Sequence, residues 1–469
     1  MKVEQLYTGC LAEAAYYIES NGEAAIIDPL RETEPYIKKL EERGAKLKYI
    51  LETHFHADFV SGHLDLAKKT GATIVFGPNA VAEYDIHVAK DNEDLKLGDV
   101  TIRVLHTPGH TMESSTFLLI DENGKDNGIF TGDTLFIGDV GRPDLAVKTD
   151  LSREDLARHL YDSIYNKIMP LADDVIVYPG HGKGSACGKN MSDETTDTLG
   201  NQKEKNYALQ PMEKEEFVEK VVDGLTPPPQ YFPKNAMLNK KGYESFDSVI
   251  AKGLTALDPD TFEDVANAHE ALIIDTRLPE EFVAGFIPNS IFIGVEGSFA
   301  SWVGTLVVDL QHPILFIADE GKEEEVVTRL SRVGYDNTIG FLKGGIEAWK
   351  AAGKQLDYIK SINPHAFAEL AEKTKTPTVV DVRRYSEFNQ GHLLNANNIP
   401  LDYINDNMSR FNKEYEYYVH CAGGYRSVVT ASILKSRGFD NVVNIEEGFG
   451  GIQEKTNLPI VTDVLEPEA

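Results

Sequence analysis

The chain has 469 residues, 42% of them hydrophobic and 26% charged, and a formal net charge of −29. It is too long for a single core, so roughly two to four domains are expected, and the acidic excess argues against nucleic acid or an anionic membrane surface as a partner. No apolar run reaches membrane-span length, no secretory signal is visible, and three cysteines are too few for a disulfide framework, so a reducing cytoplasm is the expected compartment.

In chain order, "EAAIIDP", "KYILET", "TIVFG", "VTIRVLHTPG", "STFLLID", "GIFTGD" and "DVIVYPGHG" read as strands. Helical spacing falls over residues 60–70 and 152–168, and residues 201–225 read as a further helix or two. This is an α/β pattern in which polar, chemistry-bearing residues gather at strand ends. "TPPPQYFP" at 226–233 breaks it, and the polar stretch that follows, to residue 255, reads as a linker. The boundaries are therefore 1–235 for the first domain and 236–255 for the linker.

The remainder contains an internal repeat. Asp275, Arg277, Glu281 and Gly285 reappear as Asp381, Arg383, Glu387 and Gly391, each 106 residues on, and "GGIEAW" at 344–349 corresponds to "EGFGGI" at 447–452. A period this long is a whole domain. Residues 256–357 and 358–469 are two copies of one small α/β fold, each expected to pack a parallel sheet between helices.

Four segments of the first domain carry metal-ligand residue types: "THFHADF" with His54, His56 and Asp58, "HTPGHT" with His106 and His110, "FTGDT" with Asp133, and "YPGHG" with His181. Each follows a predicted strand, and converging strand ends can gather scattered ligands around one ion. The ordered set is far more specific than any single histidine.

This set resembles the metallo-β-lactamase fold, an αββα sandwich. In relatives with two metals the residue after the HxHxD aspartate is a further histidine ligand. Here it is Phe59, which has no lone pair, so the second ligand set shrinks to Asp58 and His181 and a single metal is expected. The resemblance extends to the persulfide dioxygenases, which use one Fe(II). It implies His54, His110 and Asp133 as the iron ligands, one Fe(II) per chain, with His56, Asp58 and His181 as hydrogen-bonding groups behind them. Phe59 could instead be a tolerated substitution in a zinc hydrolase. By the same resemblance Arg142 in "DVGRPDL" supplies positive charge for an anionic thiol substrate or product sulfite, or else pairs with Asp139 or Asp144. Cys187 in "GHGKGSACGKN" could carry sulfur near the metal, line the pocket mouth, or be an ordinary buried residue. Cys10 reads as core.

In the last domain "YYVHCAGGYRSVVTASILKSRG" is a strand, a tight loop and a helix. Cys421 ends the strand. Ala422, Gly423, Gly424 and Tyr425 let backbone N–H groups converge on the sulfur, the helix N-terminus adds partial positive charge, and Arg426 could hold an anionic sulfur donor or acceptor. This domain resembles a rhodanese sulfurtransferase, and its loop is one residue shorter than in phosphatase relatives, favouring sulfur over phosphate. In the first copy the corresponding loop is "FIADEGKEEEVV". There Ile317 or Ala318 meets Cys421, and Asp319, Glu320 and the Glu323–Glu325 run would repel an anionic sulfur species. That copy is expected to be a structural or docking module.

The whole chain looks like a persulfide dioxygenase–sulfurtransferase fusion. That implies low-molecular-weight thiol persulfide, O₂ and sulfite as small-molecule partners, and a homo-oligomer (dimer or tetramer). The alternatives are a glyoxalase-II-like zinc thioester hydrolase fused to a rhodanese, and a non-enzymatic sulfur carrier or persulfide sensor.

Overall fold

The structure, a computed structural model, describes residues 1–145, 151–374 and 377–462. The final boundary given above, at residue 469, thus runs past the described residues. The chain divides into two compact units: Met1–Val249 with Thr328–Asp336, and Ile250–Val327 with Asn337–Ala469.

In the first unit two six-stranded sheets face one another. One runs Lys2–Thr8, Glu13–Ser20, Glu23–Ile27, Lys46–Glu52, Thr73–Phe76, His87–Val88; the other runs Asp197–Thr198, Ile176–Pro179, Asp126–Gly132, Ser115–Ile120, Val100–His106, Asp94–Leu97. Strand alternation explains the layering. In Glu13–Ser20, Ala14, Tyr16 and Ile18 point into the core between the sheets, with Ile102, Val104, Phe117 and Phe130. Ala15 and Tyr17 point the other way, to a second core that includes Tyr36, Leu40 and Leu66 of the helices Glu34–Arg43 and His63–Thr70. A third core covers the opposite sheet with Leu160, Leu199 and Phe217 from the helices Arg153–Ser163, Leu199–Lys205 and Lys214–Val222. Being buried on both faces, the middle strands carry apolar residues at nearly every position, and the polar residues are displaced to their ends.

The stretch expected to be a linker is largely helical, with helices at Phe232–Lys241 and Phe246–Gly253. Pro233 fits the first turn of the former, where no N–H is needed. Residues 328–336 join the first unit through Arg332, paired with Glu32, and through Asp336, 2.9 Å from Arg31.

The second unit contains two five-stranded parallel sheets with matching strand orders. They are Ala256–Leu257, Thr338–Leu342, Ile314–Ile317, Leu272–Asp275, Ile291–Phe292, and Lys360–Ile362, Val442–Ile445, Tyr417–His420, Thr378–Asp381, Asn397–Asn398. The repeated residues do the same work in both. Arg277 reaches Asp275 at 2.6 Å and the Gly285 carbonyl at 3.0 Å; Arg383 reaches Asp381 at 2.6 Å and the Gly391 carbonyl at 2.7 Å. Each buried pair satisfies its charges locally, which a buried ion pair requires. The copies also touch one another: the Phe292 N–H donates to Ser432 Oγ at 2.9 Å.

Candidate active sites

The strand Lys46–Glu52 delivers His54, the end of Val100–His106 leads to His110, and Asp126–Gly132 delivers Asp133. Their ligand atoms come within 4.8 Å of one another, and all three residues are buried. Asp133 Oδ2 lies 3.4 Å from His110 Nε2 and 3.9 Å from His54 Nε2. It is buried with no hydrogen-bond partner among the described residues.

The tautomers are set from behind. Asp28 accepts from the Thr53 N–H and hydroxyl, both at 2.8 Å. With its proton committed to Asp28, Thr53 Oγ1 accepts from His54 Nδ1 at 3.0 Å. His110 Nδ1 donates to the Arg142 carbonyl at 2.8 Å. In both rings the lone pair is left on Nε2, facing Asp133. That arrangement of two imidazoles and a carboxylate fits a divalent metal. A Cβ on Gly141 would lie 1.8 Å from the Asp133 carbonyl oxygen, so this approach needs glycine.

The other motif residues surround this set. His181 bridges two carboxylates, Nδ1 at 2.8 Å from Asp133 Oδ1 and Nε2 at 2.7 Å from Asp58 Oδ2. Burial opposes charge on His181, but the two carboxylates outweigh it and hold the ring's pKa well above the usual value. Burial likewise raises Asp133, yet His181, His110 and His54 around it bring its carboxyl far below the normal range. His56 has Nε2 3.1 Å from Asp28 and 3.4 Å from Glu52; burial is again outweighed, and its pKa is raised. For His54, burial and then neighbouring His56 push the pKa down, favouring the neutral ring a ligand needs. His106 is turned away, onto the Met112 carbonyl at 2.9 Å.

For Arg142 the sequence leaves open a charge facing the substrate or a pair with Asp139 or Asp144. Its guanidinium is occupied by Asp144 at 2.6 and 2.8 Å and by the Ala186 carbonyl at 3.2 Å. Its main chain holds the site together: the N–H donates to the Cys187 carbonyl at 2.9 Å and its own carbonyl receives His110. Asp139 instead accepts from the Lys189 and Asn190 N–H groups. Cys187 is buried beside Asp58 and His181. Burial, reinforced by Asp58 and Asp133, pushes its thiol pKa up. Cys10 is only half-buried, with Arg332 Nη1 3.3 Å from its sulfur.

Sequence reasoning missed Asn239. Its side-chain amide donates to the His56 and Phe59 carbonyls, both at 2.8 Å, and its oxygen accepts from the Ser61 N–H at 3.0 Å. A fully buried asparagine on a helix was hidden because 236–255 looked like linker. Asp28 was legible only as the residue ending "EAAIID", and Glu52 and His63, 3.5 Å apart, carried no motif signal.

In the second unit Cys421 ends the strand Tyr417–His420 and is 2% exposed. The Gly424 N–H is directed at its sulfur at 3.1 Å, from the N-terminus of the helix Tyr425–Ser436, and Ser427 Oγ lies 3.7 Å away. Ala422 and Gly423 are exposed, as the flanks of a reachable nucleophile should be. A Cβ on Gly448, whose φ is +57°, would meet the Cys421 carbonyl at 2.4 Å, so glycine is required there too. Arg426 makes a two-pronged pair with Glu387, at 2.7 and 2.8 Å. That pair raises the Arg426 pKa and lowers that of Glu387. Register settles the first copy: Asp275 pairs with Ile317 as Asp381 pairs with His420, so Ala318 occupies the place of Cys421.

Cys421 opens into a cavity of about 500 Å³ lined by Arg384, Glu387, Tyr425 and Arg426. The first copy lines it as well, with Glu296, Ser298 and Trp302. The Tyr425 hydroxyl donates to the Gly294 carbonyl at 2.9 Å. The copy without a nucleophile therefore supplies a wall of the cavity.

A sandwich with a buried His–His–Asp metal set, joined to a thiol poised at a helix N-terminus, defines a multidomain metalloenzyme. The chain belongs to the metallo-beta-lactamase superfamily, whose family model matches residues 8–181, and it carries two rhodanese-like domains, matched at 258–352 and 363–455. It is similar to a metallo-beta-lactamase of Staphylococcus aureus, with 31% identity and a TM-score of 0.64 over 73% of this chain and 98% of that one. It is 33% identical to a probable hydroxyacylglutathione hydrolase of Schizosaccharomyces pombe over 38% of this chain, and 32% identical to the human mitochondrial persulfide dioxygenase ETHE1 over 37%. The chain spans 66% and 65% of the lengths of these two relatives.

Proposed function

We propose that the first domain is a non-haem Fe(II) persulfide dioxygenase and the last a sulfurtransferase acting through Cys421. The reaction is R–S–SH + O₂ + H₂O → R–SH + SO₃²⁻ + 2H⁺. The carrying observation is the His54, His110 and Asp133 set with Phe59 in the place of a further ligand. Two imidazoles and one carboxylate are the donors non-haem iron oxygenases use, and Fe(II) held there would supply a redox-active centre for O₂ and a sulfur donor.

The chain's own residues keep that set in the correct protonation state. Thr53 and the Arg142 carbonyl take up Nδ1 of the two imidazoles and leave Nε2 of each toward Asp133. His181, cationic between Asp58 and Asp133, keeps Asp133 ionised. His56 is fixed as a charge between Asp28 and Glu52 and does not compete for the ligand position.

In the last domain Cys421 takes sulfane sulfur from a second persulfide: Cys421–SH + R–S–SH → Cys421–S–SH + R–SH. Sulfite then attacks the outer sulfur, giving Cys421–SH and thiosulfate, S₂O₃²⁻. The Gly424 N–H and the helix N-terminus favour the anionic sulfur in this exchange. The role is removal of sulfide and persulfide, and the expected compartment is the cytoplasm; no helix among the described residues is long and apolar enough to cross a membrane. Oxygen consumption on adding a low-molecular-weight persulfide tests the reading, comparing anaerobically Fe(II)-loaded with Zn(II)-loaded protein. Rapid uptake with iron alone is expected. No uptake at full iron occupancy would return the domain to the zinc thioester hydrolases, the second reading, which the hydrolase relative keeps in play.

A further inference from the structure

We propose that the cavity over Cys421 binds the carrier of the sulfur donor, and that it selects a zwitterionic thiol persulfide of the amino-acid or peptide type, with the carrier's carboxylate on Arg384 and its ammonium facing Glu296. This rests on the sulfurtransferase reading of Cys421 and extends it to the identity of the donor. Size comes first. Sulfite and cyanide have only a few heavy atoms. A cavity of about 500 Å³ lies within the ~300–1,000 Å³ of clefts that take whole organic ligands. The space beside the sulfur is thus large enough for the thiol that brings the sulfane atom, not only for the small anion that removes it.

Charge decides the class. Among the described residues the charged side chains lining the cavity are Glu296, Arg384, Glu387 and Arg426. Two of them cancel. Glu387 holds Arg426 with both oxygens and also accepts the Arg384 N–H at 3.1 Å, so an incoming anion meets a neutral pair there. The other two are held loosely. Arg384 Nε lies 3.4 Å from Asp402 Oδ1 with its side chain 66% exposed, and Glu296 Oε1 lies 3.6 Å from Lys322 Nζ with its side chain 70% exposed. Exposed pairs of this kind contribute little, so the charges of a ligand can replace them. They also belong to different copies. Arg384 follows the strand Thr378–Asp381 of the last domain, and Glu296 follows the strand Ile291–Phe292 of the silent one. One wall therefore offers a cation and the other an anion, the complement of a zwitterion. The silent wall is fixed to the thiol loop: the Tyr425 ring packs on Phe292 with centroids 5.3 Å apart, and its hydroxyl donates to the Gly294 carbonyl at 2.9 Å, two residues before Glu296. A wall held in place beforehand lowers the ordering cost of binding.

The test uses full-length, iron-loaded protein under argon, so that no O₂ competes for the donor. Persulfides of cysteine, cysteine methyl ester, N-acetylcysteine and 2-mercaptoethanol are mixed with it, and the gain of one sulfur atom on the Cys421 peptide is followed by quenched mass spectrometry. Intrinsic reactivity differs among donors, so the parent-to-variant ratio of rate constants is compared for each. Arg384→Gln should slow transfer about tenfold from the two donors with a carboxylate, cysteine and N-acetylcysteine persulfide, and less than twofold from the others, with Arg384→Lys regaining part of the loss. Glu296→Gln should slow transfer several-fold from the two donors with an ammonium, cysteine and its methyl ester, and less than twofold from the others. In the parent itself, S-methylcysteine should protect Cys421 from alkylation at lower concentration than its methyl ester or N-acetyl form does, a readout that needs no variant. Equal protection, or ratios that ignore the charges each donor carries, would overturn the inference while sulfur on Cys421 upholds the transferase reading. No sulfur on Cys421 from any donor would overturn both.

Discussion

The ring of Phe59 lies against the imidazole of His56, with centroids 4.3 Å apart and planes inclined by 32°. Phe59 thus covers a histidine whose Nε2 lies beside Asp28 and Glu52. Phe59→Leu keeps the burial and loses the ring face. It is expected to lower stability by about 0.5–1.5 kcal/mol with metal content unchanged. Phe59→His introduces a nitrogen beside Asp58; zinc content should rise above that of the parent, and persulfide-dependent oxygen uptake should fall at least tenfold. Metal analysis and an oxygen electrode check both.

Asn239 ties the loop carrying His56, Phe59 and Ser61 to a helix far along the chain. Asn239→Ala leaves two buried carbonyls and one N–H unpaired, at about 1–3 kcal/mol for each group left unsatisfied. Metal affinity should fall about 10–100-fold, as for other groups that orient ligands from behind. Competition with a chromogenic chelator measures it. A variant binding metal as tightly as the parent would show that the loop holds its shape unaided.

Cys421→Ser should leave sulfite production intact and abolish thiosulfate. Ion chromatography of the products after one pulse of persulfide separates the two. Loss of both would mean that the two chemistries are not separable.

Trp302, from the copy without a nucleophile, lines the Cys421 cavity. Trp302→Ala should raise KM for the sulfur acceptor several-fold while kcat changes less than twofold, since the thiol and Gly424 are untouched. Residues 256–357 purified alone should transfer no sulfur to cyanide, because Ala318 stands where the thiol would be. Steady-state kinetics and a thiocyanate assay check the pair.

Glu387 gives a pH dependence of definite sign. Its bond to Arg426 lowers its folded-state pKa, so the pair's stabilisation is present above the ordinary glutamate range, about 4.3. It is lost as pH falls through the lower folded value. The difference in thermal midpoint between the parent and Glu387→Gln should be flat from neutral pH to about 4.3 and shrink below it. A difference that grew with acidification would contradict the pairing.

Most of the first site was legible because its residues end buried strands, where polar side chains have no other reason to cluster. His54, His110 and Asp133, the set that the resemblance implies, come together in the structure. The repeat was legible for a similar reason: the Asp–Arg pairs are local, two residues apart, and leave a fixed imprint in each copy. What the sequence hid is what long-range packing decides. Asn239 matters through partners some 180 positions away, which no local pattern in residues 236–255 could announce. Arg142 was open between substrate, Asp139 and Asp144, and its guanidinium lies on Asp144. Cys187 was open between a place near the metal, the pocket mouth and the core, and the structure buries it beside Asp58 and His181.

The lining of the Cys421 cavity bears on how the tandem could have lasted. A duplicated domain that loses its nucleophile is ordinarily free to drift or be deleted. Here deletion would strip away Trp302, Ser298 and Glu296 and leave the Cys421 cavity open to water on that side. Selection would therefore act on the silent copy through the surface it turns to its twin. Substitutions should accumulate on its far side sooner than along residues 296–302.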